Sequence, residues 1–439
     1  MANRVPSGPE GVPFLGSSLQ YADDPLGFME RVAREYGDVA RIDVYGTEVY
    51  QVTDPAAIRR VLVTNAANYR KPSLGGDEGL GGLLGDGLLT SDGDHWQRQR
   101  KAMQPSFYGE KLDEYGEIIV RDTTELADSF SDGEHTDIHA EMSELTLRIV
   151  VESLLGARID GMERAIREAL MEVGERFQPG PQGFVPEEIP TPRNVRYRRA
   201  VDRLDRILRE IRRQHEYTGD EDDLLGVLLD RRDDGALSDE SVRNEMMTML
   251  LAGHDTTALT LTYAWYLLSK HPEVAERFHD ELDSVVEGTP TVADLADLDY
   301  LDNIVTETMR LYPPAYVVYR QAAAADELAG FHVPADTIVS TPQWVVHHDE
   351  RFFSDSWEFR PERWTDEFRR DLPPFAYFPF GGGPRKCIGD GFAMREAKLV
   401  LATLGTRFEF DLVSTAPLDL VPLVTLHPAN PVEVTVRAR

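Results

Sequence analysis

The chain has 439 residues, of which 77 are acidic and 46 are basic, so its formal net charge is −31. A surface this acidic repels nucleic acid and anionic lipid, which excludes both as partners of the molecule as a whole. The single cysteine, Cys387, excludes a disulfide within the chain, a multi-thiolate zinc site and an iron–sulfur cluster built from this chain alone.

The N-terminal segment, residues 1–20, is rich in Pro and Gly, and no apolar stretch of signal-peptide length follows its polar start. A helix is predicted over Pro25–Tyr36, because its apolar residues share one face. The residues around Gly46 predict a β-hairpin, since apolar and β-branched residues alternate on both sides of it. We expect a cytoplasmic protein without a transmembrane anchor.

Helical patterns dominate residues 110–310. The predicted helices are Leu112–Phe130, Met142–Leu155, Met162–Val173, Arg196–Tyr217, Glu240–Ser269 and Pro272–Val286. The run Met246–Leu268 is apolar enough to suggest a membrane span, but the ionisable residues His254 and Asp255 at its centre favour a buried central helix.

After Pro313 the pattern becomes mixed. Short strands are predicted at Thr337–Thr341, Phe408–Leu412 and Val432–Val436, with a helix over Gly391–Thr406. No repeat or flexible linker divides the chain. These features predict one large domain over residues 1–439, mainly α with small β-sheets.

The strongest local motif is the cysteine loop, residues 380–389, with the sequence Phe-Gly-Gly-Gly-Pro-Arg-Lys-Cys-Ile-Gly. Its backbone N–H groups, Arg385 and Lys386 are expected to favour a thiolate at Cys387, as a metal ligand or nucleophile requires. On composition alone, a lone cysteine is more often a small buried apolar residue. A nucleophilic cysteine also needs a histidine base, and the loop contains none.

Position for position, this loop resembles the haem-binding loop of the cytochrome P450 family. The resemblance implies the P450 fold in a single haem-containing domain, and haem b as the cofactor. It further implies that Cys387 is the axial metal ligand and that Phe380 and Gly381 contact the cofactor. The acidic composition suggests a soluble, halophilic member of the archaeal type.

A second segment, Ala252-Gly-His-Asp-Thr-Thr257, is similar to the acid–threonine motif on the family's long central helix. The resemblance implies that Asp255 and Thr256 are catalytic and relay protons to the O₂ site, while Gly253 leaves room for the flat cofactor. Alternatively, the segment is a helix kink, or Thr256 bonds to its own backbone. His254 is given no metal role.

A third segment places Glu307 and Arg310 one turn apart on a helix. Together with Arg363 they resemble the family's buried Glu–Arg–Arg network, which has a structural role. Trp364 stands where phenylalanine is more usual in the family. Taken alone, an ion pair at this spacing is commonplace and weak.

A fourth segment, His95–Arg100, resembles the helix whose Trp and Arg face a haem propionate. The resemblance assigns cofactor binding to Trp96 and Arg100, and also to Arg320, Arg385 and, more weakly, His95. Bidentate hydrogen bonding between guanidinium and carboxylate is the physical reason. On an isolated helix, Trp96 and Arg100 would more often be a core and a surface residue.

The resemblance implies a monooxygenase that inserts one atom of O₂ into a C–H or C=C bond of a hydrophobic small molecule, with fatty acids and carotenoids or other terpenoids as favoured substrates. Because the chain ends soon after the last strands, electrons are expected from a separate ferredoxin or flavoprotein reductase. The expected docking patch is Arg98, Lys101, Lys386 and Arg395. The alternatives are a peroxide-driven peroxygenase or isomerase, and a haem sensor without turnover.

Overall fold

Helices make up most of the chain, which is described by a computed structural model over residues 4–44, 46–72, 80–178, 186–218 and 223–439. Residues 1–3 of the predicted N-terminal segment lie outside these ranges. The described α-helices are α1 (Ser18–Asp23), α2 (Pro25–Tyr36), α3 (Pro55–Arg59), α4 (Leu80–Leu84), α5 (Gly93–Met103), α6 (Glu110–Ser129), α7 (Ile138–Leu155), α8 (Glu163–Glu175), α9 (Pro192–Thr218), α10 (Leu224–Asp233), α11 (Asp239–Lys270), α12 (Pro272–Val285), α13 (Asp299–Leu311), α14 (Gln343–His347), α15 (Asp366–Asp371) and α16 (Asp390–Gly405).

Short polar side chains begin several of these helices, because their oxygens accept backbone N–H groups that the first turn leaves unpaired. These capping residues include Asp24 before α2, Asp137 before α7 and Ser238 before α11. α7 ends at Gly156, whose φ of +55° favours glycine. Local residues therefore define both ends of α7 and the start of α11.

The central helix is α11, which packs against α7, α13 and α16. Most of its residues between Val242 and Leu268 are buried, which confirms the prediction of a buried central helix. Over the described ranges, no helix is both long enough and apolar enough to cross a membrane.

The strands form small sheets at the margins of this helical core. They are β1 (Val39–Val44), β2 (Thr47–Val52), β3 (Tyr69–Arg70), β4 (His135–Asp137), β5 (Val318–Ala322), β6 (Asp326–Leu328), β7 (Phe331–Val333), β8 (Ile338–Thr341), β9 (Phe408–Leu412), β10 (Leu420–Pro422), β11 (Leu426–Pro428) and β12 (Glu433–Ala438). The largest sheet has the order β1-β2-β8-β5-β3, and a second has the order β4-β12-β9. The pairs β6–β7 and β10–β11 are separate antiparallel hairpins.

The prediction of a single, mainly helical domain with small sheets is confirmed. α2, the β1–β2 hairpin and β9 lie where the sequence predicts them. Three helices begin two to four residues before their predicted starts, at Glu110, Ile138 and Pro192. Their first turns contain polar residues that interrupt the apolar period, so the pattern alone begins too late.

Candidate active site

The cysteine loop is a tight turn that leads into α16. The N–H of Cys387 donates to the carbonyl of Phe380 at 3.0 Å, which closes the loop. Gly381 and Gly383 have φ values of +68° and +67°, a conformation that favours glycine. A Cβ on Gly383 would lie 1.9 Å from the carbonyl oxygen of Leu62, so glycine is required for this close approach of two backbones.

Cys387 combines an accessible side chain with desolvation of its thiol by the surrounding protein. Its side chain is exposed, although burial raises its pKa above the ordinary cysteine value. The N–H of Gly389 and the charges of Arg100 and Lys386 lower the pKa, but by less. The loop N–H and Lys386 thus act in the predicted direction, but burial outweighs them. A metal ion deprotonates a coordinating thiol, so an accessible sulfur in this position fits a ligand role.

Three cations, Lys71, Arg320 and Arg385, lie close together near this loop. Arg320, on β5, is 5% exposed and donates to the carbonyl of Tyr319 at 2.8 Å. No carboxylate of the described residues lies within ion-pair distance of it. Burial, together with the charge of Arg385, lowers the pKa of Arg320 to about 10. Burial and the charges of Arg320 and Arg385 lower the pKa of Lys71 to about 7.

Asp92 is the carboxylate that partly balances these charges. It forms an ion pair with Arg385, accepts the N–H of Lys71 at 3.0 Å, and caps α5 through the N–H of Gly93. Three cations around one carboxylate leave uncompensated positive charge, which buried sites rarely tolerate. The two propionate groups of haem would supply the missing negative charge, so these residues fit that cofactor.

Of the three residues of α5 that are predicted to bind the cofactor, Trp96 and Arg100 lie on the side of Arg385 and His95 does not. Trp96 is buried, and the guanidinium of Arg385 lies 4.4 Å from the centre of its ring. The guanidinium of Arg100 lies 5.8 Å from the same ring. His95 points elsewhere, with Nε2 at 3.1 Å from a carboxylate oxygen of Asp86. The structure therefore brings Trp96, Arg100 and Arg385 together and pairs His95 with another residue.

The acid–threonine motif lies at the centre of α11, where Asp255 reaches out to the hairpin β10–β11. Its Oδ2 accepts a hydrogen bond from Thr425 Oγ1 at 2.5 Å and lies 3.2 Å from His427 Nε2. Burial raises the pKa of Asp255, but the charge and hydrogen bond of His427 outweigh it and hold that pKa well below its usual range. Asp255 is therefore an ionised carboxylate at neutral pH.

The neighbouring residues of the motif bond to their own helix. Thr256 Oγ1 donates to the carbonyl of Ala252 at 3.2 Å, which is the backbone bond that the sequence left open as an alternative. His254 Nδ1 lies 2.5 Å from the carbonyl of Leu250. A Cβ on Gly253 would lie 3.4 Å from both methyl groups of Val150 on α7, an ordinary contact distance, and the room expected there for the cofactor stays a prediction.

The structure brings Glu307, Arg310 and Arg363 together in one buried network. Arg310 forms two hydrogen bonds of 2.8 Å with the carboxylate of Glu307, and Arg363 Nε donates to Oε1 at 2.9 Å. Trp364 Nε1 donates to Oε2 at 2.8 Å, a bond that phenylalanine at this position could not make. The side chains of Glu307 and Arg310 are fully buried.

Four residues around these sites were missed by reasoning from the sequence: Lys71, Asp92, Thr425 and His427. Asp92 carries a local signal, because an aspartate directly before a helix is a capping residue. The others carry none, since each meets its partner across a long stretch of chain; Thr425 is 170 residues from Asp255.

Comparison with known proteins assigns the chain to a protein family. The family model described as Cytochrome P450 matches residues 6–436, and the chain belongs to that family. It is therefore an enzyme of the P450 monooxygenase class, whose members use a haem cofactor.

Individual relatives agree over nearly the whole chain. It is 35% identical over 413 residues to cyclooctat-9-en-7-ol 5-monooxygenase of Streptomyces melanosporofaciens, covering 92% of this chain and 88% of the relative. It is 32% identical over 446 residues to pentalenene oxygenase of Streptomyces avermitilis, covering 99% and 97%. The crystal structure of the cytochrome P450DA heme domain superposes with a TM-score of 0.87 at 26% identity, covering 99% and 98%.

Proposed function

We propose that this protein is a haem-thiolate monooxygenase in which Cys387 is the axial ligand of haem b. The observation that carries the proposal is an exposed cysteine side chain in a tight glycine loop, close to a cation cluster that lacks negative charge. Arg320, Arg385 and Lys71 would hold the propionates. Haem, when bound, supplies the iron at which O₂ is activated.

The other residues predicted to contact the cofactor differ in how closely they lie to the cysteine loop and its cations. Arg100 and Arg385 both lie near the ring of Trp96, so Trp96 and Arg100 extend the propionate site. Phe380 and Gly381 shape the loop that presents the sulfur. His95 contributes least, because it lies beside Asp86.

The residues of α11 would transfer protons to the site where O₂ binds. Asp255 is ionised and can gain and release a proton, while the hydroxyl of Thr256 can pass one on. Together they would deliver protons where O₂ is reduced, which is what a monooxygenase needs and a peroxide-driven enzyme can omit.

The favoured substrate class is a hydrophobic terpenoid. The residues expected near the reacting position, Leu251, Ala252 and the segment Ala315–Val318, are mostly apolar. The hydroxyl of Tyr316 is occupied, since it donates to the carbonyl of Leu423 at 3.0 Å. Relatives named for cyclooctat-9-en-7-ol and pentalenene, both cyclic terpenoids, support this class over fatty acids.

Electrons would come from a separate ferredoxin or flavoprotein. Arg98 and Lys101 are exposed on α5, whereas Lys386 pairs with Asp390 and Arg395 pairs with Asp113. The first two therefore remain the freer members of the expected docking patch. The saline adaptation suggested by the net charge stays a prediction.

The decisive experiment is the absorption spectrum of the reduced, haem-loaded protein under carbon monoxide. We expect a strongly red-shifted Soret band of the thiolate type, which Cys387→Ser abolishes and the exposed control Arg98→Gln retains. A histidine-type band in the wild-type protein would contradict the ligand assignment.

Substrate class is tested on the same protein by titrating pentalenene, a saturated fatty acid and a carotenoid, each monitored by the spin-state shift of the ferric Soret band. Oxidation of the bound compound with a surrogate ferredoxin system and O₂ distinguishes a monooxygenase from a sensor. Oxidation with peroxide alone would identify a peroxygenase.

A further inference from the structure

A closed cluster of three polar groups joins α11 to the C-terminal hairpin. Thr425 Oγ1 donates to Asp255 Oδ2 at 2.5 Å, and His427 Nε2 lies 3.2 Å from that oxygen and 2.9 Å from Thr425 Oγ1. The side chains of His427 and Asp255 are 6% and 15% exposed, so the cluster is largely shielded from bulk water.

The titratable groups facing this cluster come from α7 and α11. His139, on α7, is half-buried, and its ring centre lies 5.7 Å from that of His427 in an edge-to-face arrangement. Burial lowers the pKa of His139 to about 4 and also lowers that of His254. Burial raises the pKa of Tyr263, whose hydroxyl donates to the hairpin. The charged residues next in reach are Asp137 and Arg167, which act on His139.

His139, His254 and Tyr263 are neutral near pH 7, which leaves Asp255 and His427 as the charged pair within the cluster. Burial lowers the pKa of His427, but the charge and hydrogen bond of Asp255 raise it above the ordinary histidine value. Across the described ranges, no lysine or arginine forms an ion pair with Asp255, whose one ionic partner is this imidazole. Loss of the imidazolium proton would therefore remove the charge that holds the carboxylate.

We propose that Thr425 and His427 are positioning residues of the Asp255–Thr256 proton path and resupply Asp255 with protons. The proposal rests on the monooxygenase function proposed above and deepens it. One proton leaves His427 Nε2 for Thr425 Oγ1, and the hydroxyl passes its own proton to Asp255 Oδ2. The hydroxyl is regenerated, the ion pair becomes neutral, and Asp255 becomes a proton donor. The neutral imidazole keeps its proton on Nδ1, so solvent then returns a proton to Nε2.

A fixed charge could hold Asp255 but could not release a proton, and this difference separates a relay from a structural role. His427→Arg keeps the ion pair and loses the relay. His427→Gln loses both. Thr425→Val removes the hydroxyl link, whereas Thr425→Ser retains it and is the matched control.

The experiment uses the haem-loaded full chain, reduced by NADPH through a surrogate ferredoxin and its reductase in air. The fraction of electrons recovered as hydrogen peroxide is measured between about pH 6 and pH 9, because the pKa of His427 is raised above the ordinary histidine value of about 6.5. In the wild-type protein and in Thr425→Ser, peroxide should rise with pH as His427 loses its proton. In both His427 variants, the peroxide fraction should be high and independent of pH. The ratio of water to peroxide should be lower than in the wild-type protein by roughly tenfold. Loss of a group that transfers the proton directly would lower it by ~100-fold or more.

A second readout needs no electron donor. Histidine ring resonances of the diamagnetic carbon monoxide complex report the titration midpoint of His427, identified by its absence in His427→Gln. Asp255→Asn should lower that midpoint. The proposal would be overturned if both His427 variants had the peroxide profile of the wild-type protein. It would also be overturned if His427→Arg alone restored that profile. A protein without a thiolate-type carbon monoxide band would instead contradict the proposed function itself.

Discussion

Two buried carboxylates, Glu307 and Asp255, are held by partners of different chemistry. Glu307 is bound by two guanidinium groups, which remain charged at any pH at which the protein folds. Asp255 is bound by a hydroxyl and an imidazole, whose charge changes near neutral pH. The first arrangement can fix a structure but cannot exchange protons, and the second can do both.

The two carboxylates also differ in the parts of the chain that their partners connect. The arginines that bind Glu307 also donate to backbone carbonyls, among them Arg310 to His347 and Arg363 to Ser354, so the network joins α13 to the chain that precedes the cysteine loop. The Asp255 cluster joins α11 to one hairpin. We therefore expect variants of the Glu307 network to act on stability and variants of the Asp255 cluster to act on pH dependence.

The largest effect is expected for Glu307→Ala. It leaves Arg310 and Arg363 buried without a counter-charge, and breaking a buried pair in this way costs about 3–5 kcal/mol. Urea unfolding of the full chain measures the loss, and haem content after purification reports on the cysteine loop. The control is Glu362→Ala on the exposed side of the same region. A loss below about 1 kcal/mol would show that the network is not a main source of stability.

Most residues that the sequence identified have local partners or belong to a contiguous motif, whereas Arg320 and Arg363 were assigned through the family resemblance. The cysteine loop, the pair Glu307 and Arg310, and the segment around Asp255 can each be read within about ten residues. Their glycines, prolines and helical spacing predict the local geometry, so their positions on loops and helices follow directly.

The rest depends on contacts that local patterns do not encode. His427 meets Asp255 across 172 residues, and Arg385 meets Asp92 across 293. The pKa of Cys387 could not be predicted because burial, which the sequence does not give, outweighs the cations that it does. α10 was missed since its apolar run, Leu224–Leu229, has no helical period to distinguish it from a buried strand.

A smaller effect, specific to the Asp255 cluster, is expected from His427→Gln. Because the folded-state pKa of His427 is raised, its stabilisation is present in full below the ordinary value of about 6.5 and is lost as pH rises through the folded value. The stability difference between wild type and variant should be about 1–2 kcal/mol near pH 6 and shrink towards pH 9. The contribution of Asp255, whose pKa is lowered, persists across this window and disappears only in acid.

Urea unfolding at a series of pH values measures this difference, with the exposed His135→Gln as the control. Glu307→Ala should show a loss that is constant over the same window, because neither arginine titrates there. A difference for His427→Gln that does not change with pH would remove the distinction between the two carboxylates.

The smallest effect is expected where this chain departs from the usual residue of its family, at Trp364. Trp364→Phe removes the indole N–H bond to Glu307 Oε2 but leaves the bonds from both arginines. The expected loss is about 1 kcal/mol, the size of a typical hydrogen bond, and it should be independent of pH. Trp357→Phe, at a tryptophan that is 56% exposed, is the matched control. If Trp364→Phe were neutral in Glu307→Ala and destabilising in wild type, the indole would act through Glu307; equal losses in both backgrounds would assign its effect to packing against Phe353 and Tyr377.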